Sequence, residues 1–387
     1  MTAYASEIDD ATAAVREILG QIDIEGGLLE NSVGIISCYA DFVESGAVRA
    51  ICEALPFEVV GSTTLASAVD GGSGFMQLAL IVLTGDDVSF TVGMTSPLSS
   101  EDEAPLREAY ESALSRAGRK PSLMLSFAPM LMNISGDFYV NAFNKISEGV
   151  PNFGTVSVDH NLDYHEAQII CNGEAYPDRY AFIMVCGDIA PKFITGSISP
   201  GNIFSVKGVV TASRGNHLQS VNGTPVFDYL QTIGLKKDEN GMIVGINSFP
   251  FIVDFNDGTT PVVRAIFAQT PEGYGVCGGD IPVGATLTVG TLDADEVLRT
   301  AETAVASAAA LENPACILMF SCIGRHFSLG YNPMSEIEKI QGLMEGRKIP
   351  YHFAYSGGEF CPVYSRASED KSTTNRNHSD TLVICVL

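Results

Sequence analysis

Two short stretches in the last third of the chain, Phe320-Ser321-Cys322-Ile323-Gly324-Arg325 and Tyr355-Ser356-Gly357-Gly358-Glu359, decide the predicted fold. Each stretch continues an apolar run of strand type and then breaks at glycine, and a helix-like segment lies between the two. This order is typical of two parallel strands of one sheet that are joined by a helix. Ligand sites of α/β folds usually lie just beyond the carboxyl ends of such strands.

Arg325 and Glu359 follow the two strand ends, so we expect them at the same edge of the sheet. A guanidinium and a carboxylate held there can bind the two ends of a zwitterion, with Arg325 taking the carboxylate and Glu359 the ammonium group. We therefore expect the ligand to be an amino acid or a similar small carboxylate. Ser356 and the backbone N–H groups of Gly357 and Gly358 would add hydrogen bonds to the ligand. The alternative interpretation is that Arg325 and Glu359 only pair with each other.

The same order of elements occurs three times along the chain, which indicates an internal repeat. Each unit has an apolar strand, a helix, a proline, a second apolar strand with a serine at its end, a long loop and a closing apolar strand. In each unit the second serine lies the same distance beyond the proline. The first strands are predicted at 33–38, 122–127 and 315–322, the second at 57–61, 152–156 and 351–355, and the closing strands at 78–83, 180–186 and 381–387.

Amphipathic helices are predicted before and within each unit. The entry helices are expected near 11–19, 106–114 and 293–311, and the helices within the units near 42–55, 136–147 and 336–344. Ser335 and Glu338 have the spacing of a capping box at the start of the last helix. The strand-like segments at 90–93 and 287–290 look alike, and each is expected to lead into the entry helix of its unit.

Residues 189–290 have a different character, with many glycines, valines and turn pairs. Strands are predicted there at 206–211, 243–246, 249–255, 262–267 and 286–289. Asn256-Asp257-Gly258 predicts a hairpin turn between two of them. We therefore expect an α/β fold with mixed sheets, built from three strand-helix-strand repeats with a mostly antiparallel β insertion. Two domains are predicted, residues 1–222 with two repeat units and 223–387 with the middle strands and the third unit.

The composition narrows the function classes. The chain of 387 residues is 46% apolar and only 18% charged, as expected for a globular protein. A net charge of −24 argues against nucleic-acid partners. Because there is no run of about 20 apolar residues and no signal-peptide pattern, we expect neither membrane insertion nor secretion. Nine cysteines without zinc-type spacing favour a reduced, cytoplasmic protein.

The common catalytic motifs, such as a Walker A loop or G-x-S-x-G, are missing from the sequence. We therefore expect no enzyme and no resident metal. One alternative is a hydrolase that uses Ser356, with Glu359 and His378, or a cysteine and histidine pair. Another alternative is a haem protein, for which His326 and His378 are the first candidates as axial ligands.

Four motifs, in this order, resemble the FIST family of intracellular signal-transduction sensors, which have an N-terminal and a C-terminal FIST domain. Residues 57–64 resemble the "vvG-s-T" strand end of the N-terminal domain, and 153–159 resemble its "GG-x-x-x-D" turn. Residues 321–325 resemble the "sC-x-gR" segment of the C-terminal domain. Residues 355–359, followed by 377–382, resemble its "Y-s-x-GE … h-n-x-T-l" ending.

The resemblance implies a sensory module for small ligands, with amino acids as the class usually proposed. The partner would be a separate histidine kinase, chemoreceptor or cyclic-dinucleotide enzyme. Asp159 and Ser62, at the other strand ends, are further candidate ligand contacts. No cofactor is expected, although some relatives bind haem and sense nitric oxide, which keeps the haem alternative open.

Overall fold

A computed structural model describes residues 1–161, 163–239, 241, 243–367 and 372–387. The helices of these residues are α1 (Ala11–Leu19), α2 (Ile24–Gly27), α3 (Asp41–Glu44), α4 (Ala47–Ala54), α5 (Ala104–Ala117), α6 (Gly136–Ile146), α7 (Val226–Thr232), α8 (Ala294–Ala309), α9 (Ile323–Ser328) and α10 (Ser335–Met344). Short 3₁₀ turns occur at Pro200–Asn202 and Ile246–Ser248. None of these helices is long and apolar enough to cross a membrane.

The strands follow each other in small groups between the helices. They are β1 (Thr2–Ala5), β2 (Asn31–Cys38), β3 (Glu58–Thr63), β4 (Ser67–Val69), β5 (Gly72–Gly74), β6 (Leu78–Gly85), β7 (Ser89–Met94), β8 (Leu123–Ala128), β9 (Asn152–Val156), β10 (Ile169–Cys171), β11 (Glu174–Tyr176), β12 (Ala181–Cys186), β13 (Lys192–Gly196), β14 (Gly208–Arg214), β15 (His217–Val221), β16 (Thr224–Pro225), β17 (Phe251–Asp254), β18 (Val262–Arg264), β19 (Ile266–Gln269), β20 (Gly275–Cys277), β21 (Thr286–Val289), β22 (Ile317–Cys322), β23 (Tyr351–Ser356), β24 (Glu359–Tyr364), β25 (Thr373–His378) and β26 (Leu382–Val386).

Three six-stranded sheets of the same design carry the predicted repeat. Sheet 1 has the order β1-β6-β2-β3-β10-β11, sheet 2 has β7-β12-β8-β9-β24-β25, and sheet 3 has β13-β26-β22-β23-β4-β5. In each sheet the first and second strands of one unit are parallel, and its closing strand is antiparallel to the first strand. The predicted mixed α/β sheets and the threefold repeat are therefore confirmed.

The three sheets are tied together because each unit lends a hairpin to a neighbouring sheet. Hairpin β4–β5 of the first unit pairs with β23 of sheet 3, β10–β11 of the second unit pairs with β3 of sheet 1, and β24–β25 of the third unit pairs with β9 of sheet 2. Sheets 2 and 3 thus contain strands from both sides of the predicted domain boundary at residue 222. The division into two domains stays a prediction.

One apolar core lies between the three sheets. It takes buried side chains from all of them, including Val60 of sheet 1, Phe153 of sheet 2 and Phe320 of sheet 3. The rings of Phe153 and Phe320 stack with centroids 5.4 Å apart. The other face of each sheet is covered by its own helices, α1 and α4 on sheet 1, α5 and α6 on sheet 2, and α8 and α10 on sheet 3. Because both faces are buried, the strands are almost continuously apolar.

The insertion forms a separate curled sheet between β13 and α8, in the order β18-β17-β21-β14-β15-β20-β19. Its two edge strands, β18 and β19, are separated only by Ala265, so the sheet curls around its own core. The predicted hairpin at Asn256-Asp257-Gly258 is present between β17 and β18. The strand predicted at 243–246 is wrong: among the described residues, Ile243 makes an isolated bridge to Lys237, and a 3₁₀ turn begins at Ile246.

The predicted equivalence of the segments before the entry helices of the second and third units is also wrong. The segments at 90–93 and 287–290 have similar sequences, but β7 is an edge strand of sheet 2 whereas β21 belongs to the curled sheet. The true counterpart of β7 is β13, because each forms the edge of its sheet beside the closing strand. Sequence similarity failed here because both segments are short strands that precede a helix.

Two glycines let the parallel strands approach each other in sheets 1 and 2. A Cβ atom at Gly61 would lie 1.7 Å from the carbonyl oxygen of Ile36, and one at Gly154 would lie 2.1 Å from that of Ser126. We expect Gly154→Ala to lower the free energy of unfolding by about 1–3 kcal/mol or more, because a backbone carbonyl cannot move aside cheaply. Gly342→Ala in α10 is the control, since its Cβ would meet nothing within 4 Å and alanine favours a helix. Urea unfolding of the two variants checks this, and equal stabilities would contradict it.

Candidate functional site

The carboxyl ends of the three second strands meet at one place above the central core. Val158 donates its N–H to the carbonyl of Thr63 at 3.4 Å, which joins the ends of sheets 2 and 1. The Thr64 hydroxyl donates to the carbonyl of Tyr355 at 2.8 Å, which joins sheets 1 and 3. Gly357 donates its N–H to the carbonyl of Val156 at 2.9 Å, which joins sheets 3 and 2. The predicted site residues of different units are therefore brought together.

A layer of polar side chains caps the central core at these strand ends. Side chains two residues apart in a strand share a face, and several core residues are followed two positions later by a polar residue. The buried residues of this layer are Ser37 after Ile35, Ser62 after Val60, Thr155 after Phe153, Cys322 after Phe320 and Ser356 after Ala354, together with Glu359, which lies two positions before the core residue Cys361. Ser62 is thus placed in the predicted region.

Asp380, from the turn before β26, lies near Glu359 and Cys322 of this layer. We call Glu359, Asp380, Cys322 and Ser356 the strand-end cluster. The Glu359 side chain is fully buried, and neither of its carboxylate oxygens has a hydrogen-bond partner among the described residues. Oδ2 of Asp380 is likewise buried and without a partner there. The backbone of Asp380 has the left-handed φ of +48°, which is uncommon for a residue other than glycine. Polar groups buried without partners are rare and often mark a functional site.

Burial controls the charge of the strand-end cluster. Burial, and then the nearby Asp380 carboxylate, hold the pKa of Glu359 well above its ordinary value. The Ser356 hydroxyl, Arg325 and the Cys322 thiol act in the opposite direction but do not cancel this rise. Burial raises the pKa of Asp380 to about 7. Burial and the Glu359 carboxylate raise the pKa of the Cys322 thiol well above its ordinary value. Burial therefore favours the protonated form of Glu359, and Cys322 stays a neutral thiol at neutral pH.

The pH dependence of stability tests this assignment for Asp380. Its pKa in the folded protein, about 7, lies above the ordinary value near 4, so the folded state binds the proton more tightly than the unfolded state. The contribution of this group to the free energy of unfolding is therefore fully present below about pH 4. It is lost as the pH rises toward about 7, because the buried carboxyl group must then ionise. We expect Asp380→Asn to abolish this loss, so that the variant gains on the native protein by up to about 1.4 kcal/mol per pH unit across that window. Urea unfolding at several pH values measures it, and parallel curves for the two proteins would contradict it.

Arg325 lies at the predicted edge of sheet 3, but its guanidinium is fully occupied by the protein. It is completely buried and forms an ion pair with Glu336 of α10, with Nη2 and Oε1 2.7 Å apart. The remaining acceptors are the carbonyl oxygens of Gly196 and Val297 and the hydroxyls of Ser321 and Thr300, at 2.9–3.2 Å. All five N–H groups of an arginine are used by this set.

The structure therefore gives Arg325 a different partner from either of the two predicted ones. Its ion pair is with Glu336, and Glu359 has no ion pair with it. Sequence reasoning missed Glu336 because an acid in the first turn of a helix is usually explained by the helix dipole. The predicted capping box is absent too, since α10 begins after Met334 without a side-chain cap.

Ser356 and the two glycines make their hydrogen bonds within the protein. The Ser356 hydroxyl donates to the carbonyl of Gly358 at 2.6 Å and accepts from the Thr155 hydroxyl at 2.8 Å. Gly358 donates its N–H to Ser356 Oγ at 3.2 Å, and the N–H of Gly357 is held by Val156. The two backbone N–H groups predicted to contact a ligand thus hold the turn that presents Glu359.

The loop between β9 and β10 covers the strand-end cluster. Asp159 is buried and shapes this loop, because its carboxylate accepts the N–H groups of Asn161 and Glu166, each at 2.6 Å. Tyr164 has a φ of +53°. Burial, and then the Cys322 thiol and Asp159, raise the pKa of Tyr164 to about 12, which places its hydroxyl near both groups. Asp159 therefore acts on the cover of the site, and Tyr164 is a candidate contact that the sequence did not reveal.

The predicted histidines differ in their surroundings. His378 is buried, its Nε2 lies 3.1 Å from the carbonyl oxygen of Cys361, and burial lowers its pKa to about 3. This position does not fit an axial haem ligand, because Nε2 is already engaged inside the sheet. The His326 ring lies edge-on to Tyr355, with centroids 4.9 Å apart, and its Nδ1 has no partner among the described residues. No group of three or more His, Cys, Asp or Glu in those residues is arranged for a metal ion.

Comparison with known families identifies the fold. The sequence profile of the FIST N domain matches residues 32–224, and that of the FIST C domain matches residues 228–362. The chain belongs to the FIST family. FIST domains are sensory domains of signal transduction, so this FIST protein has a sensory role in signalling. The predicted family is confirmed over most of the chain.

Other comparisons add little about this FIST protein. No curated protein matches the chain. Among solved structures, the cyanuric acid hydrolase from A. caulinodans is similar over 100% of this chain and 97% of its own, at 10% sequence identity and a TM-score of 0.35. A TM-score this low supports no argument about fold or activity.

Proposed function

We propose that this FIST protein is a cytoplasmic sensor that binds a small amino compound, such as an amino acid, at the strand-end cluster. The observation that carries the proposal is Glu359, a fully buried carboxyl group whose two oxygens lack partners among the described residues. A buried polar group without a partner costs about 1–3 kcal/mol or more. A ligand that supplies the missing hydrogen bonds recovers this free energy, so the cluster favours the bound state.

The covering loop gives the bound state a way to reach a partner. Tyr164 reaches toward the strand-end cluster, while His165 of the same loop is 61% exposed at its side chain. A ligand that contacts Tyr164 changes the equilibrium of the whole loop only if it binds one loop conformation better than another. We propose that a separate histidine kinase, chemoreceptor or cyclic-dinucleotide enzyme recognises this loop.

A thermal-shift screen with amino acids, small carboxylates and haem tests the proposal. A ligand that binds only the folded protein raises the melting temperature, by an amount that grows with its concentration above Kd. We expect a shift with an amino acid that disappears in Glu359→Gln, which keeps the shape of the side chain. The control Glu345→Gln, at an exposed position, should keep the full shift. A shift that survives in Glu359→Gln would place the ligand site elsewhere.

The haem sensor is the second candidate, and it depends on His326 alone. The His326 ring lies edge-on to that of Phe327, with centroids 5.9 Å apart; Phe327 is 50% exposed, and Tyr331 nearby in sequence is also exposed. These features suit an apolar ring system at the surface. A Soret band of the haem-supplied protein that is lost in His326→Ala supports this candidate, and no band in the native protein rejects it.

A hydrolase is the remaining candidate. The Ser356 hydroxyl donates to a backbone carbonyl, and all nine cysteines are buried. We therefore propose that no side chain of the strand-end cluster is an activated nucleophile. Labelling of the folded protein with a fluorophosphonate and with iodoacetamide should be negligible, and rapid labelling of Ser356 or Cys322 would reverse this conclusion.

A further inference from the structure

The charges around the strand-end cluster are unbalanced. Arg325 is the cation that acts on both Glu359 and Asp380, but it is already neutralised by Glu336 at 2.7 Å. Cys322, from the end of β22, adds a further acid. The described parts of the neighbouring strands supply no cation here, since β9 places Thr155 opposite Glu359, and His378, opposite it on β25, directs its ring to the carbonyl of Cys361.

Two buried carboxyl groups therefore have no counter-charge from the described residues that face them. An ionised carboxylate buried without a cation is very unfavourable, so the group keeps its proton instead. Either the two carboxyl groups stay permanently protonated, or a bound ligand supplies the missing positive charge. The second possibility agrees with the unpartnered oxygens, because a permanently neutral carboxyl group still needs a hydrogen-bond acceptor and donor.

We infer that the strand-end cluster recognises its ligand by a protonated nitrogen, an ammonium or amidinium group, and not by a carboxylate. This inference rests on the proposed function and specifies the ligand class. The ligand nitrogen donates to the free oxygens of Glu359 and Asp380, and its positive charge takes the place of the proton that Glu359 carries without ligand. The amino end of an amino acid meets the requirement, and so does a simple amine.

The binding step has a defined proton balance. A cation enters, the carboxyl group of Glu359 ionises, and its proton passes to the solvent, so the charge inside the site stays the same. A proton carried by Asp380 stays in place, because one cation compensates only one newly ionised carboxylate. Binding should therefore release roughly one proton per ligand near neutral pH and weaken about tenfold for each pH unit of acidification.

A ligand carboxylate, by contrast, finds no free cation in the cluster. All the N–H groups of Arg325 are engaged by Glu336, by two carbonyl oxygens and by two hydroxyls. A carboxylate buried beside Glu359 would have no cation to compensate its charge, which is unfavourable. Removing the carboxylate from an amino acid should therefore leave its affinity unchanged or improve it.

Isothermal titration with three matched probes tests this inference on the full chain. L-alaninamide has the amine without the carboxylate, propionate has the carboxylate without the amine, and L-alanine has both. We expect L-alaninamide to bind at least as tightly as L-alanine and propionate not to bind. Titrations in two buffers of different ionisation enthalpy should show release of roughly one proton per amine bound. Glu359→Gln should weaken amine binding by about tenfold or more, and Asp380→Asn provides a second variant at the same cluster.

The failures are distinguishable. The inference is overturned, while ligand sensing survives, by any of three results. The first is that propionate binds as tightly as L-alaninamide, the second is that the amine binds without proton release, and the third is that both variants bind the amine as tightly as the native protein does. If none of the three probes gives heat or a shift in melting temperature, the proposed function fails and the inference fails with it. Circular dichroism of each variant before titration separates loss of binding from loss of fold.

Discussion

Arg325→Met is expected to lower the free energy of unfolding by about 3–5 kcal/mol, because it leaves Glu336 buried without its cation. The Glu336 side chain is 0% exposed, and its carboxylate accepts hydrogen bonds from Arg325 and Ser321. Arg325 also joins α8 to α9 through the carbonyl of Val297. Chemical denaturation monitored by circular dichroism measures the effect.

Two further variants complete this test. Arg347→Met, at an exposed position, is the control and should change stability by no more than about 0.5 kcal/mol. The double variant Arg325→Met, Glu336→Met should be more stable than Arg325→Met alone, since replacing both members of a buried pair by apolar residues is often close to neutral. If Arg325→Met leaves stability unchanged but abolishes amino-acid binding, Arg325 is a ligand contact after all.

Arg264→Met is expected to have a similar effect, about 3–5 kcal/mol, at the junction between sheet 2 and the curled sheet. Arg264 of β18 is fully buried and pairs with Asp137 of α6, with Nη2 and Oδ1 2.8 Å apart. The other oxygen of Asp137 accepts the N–H of Asp280 at 2.8 Å and an amide N–H of Asn377 at 3.2 Å. Breaking this pair removes the main charged link between the helix and the insertion.

Hydrogen exchange measures where the Arg264→Met effect is felt. Amide protection should fall most in β17, β18 and β20 and least in β2 and β3, which lie in sheet 1. Arg366→Met provides the matched control, because its ion pair with Asp254 is partly exposed and contributes at most about 1 kcal/mol. A uniform loss of protection across all sheets would show that the pair stabilises the whole chain and not this junction.

Much of the fold was predictable because the deciding signals are local. The predicted second strand at 152–156 and entry helix at 11–19 have the same bounds in the structure as β9 and α1. Apolar runs broken by proline and glycine carry this information within about ten residues of sequence. The exchange of hairpins between units was not predictable in the same way, since β4 meets β23 only through contacts far apart in sequence.

The convergence of the strand ends was predictable, but the pairing of the side chains there was not. The strand ends of all three units do converge, and Glu359, Ser356, Ser62 and Asp159 lie there. Whether Arg325 is free depends on how α10 packs, and no local pattern distinguishes an inward Glu336 from an acid at a solvated helix start. Asp380 was also missed, because an aspartate between two strands usually indicates only a turn.

The protonation state of Glu359, with and without ligand, shows whether this unpaired buried carboxyl group forms the ligand site. Infrared difference spectra of the native protein minus Glu359→Gln at neutral pH report it, because a protonated carboxyl group and a carboxylate absorb at different frequencies. The structure predicts a protonated carboxyl band without ligand that is replaced by a carboxylate band when L-alaninamide saturates the site. A carboxylate band already present without ligand, or a protonated band that persists in the complex, would contradict the account.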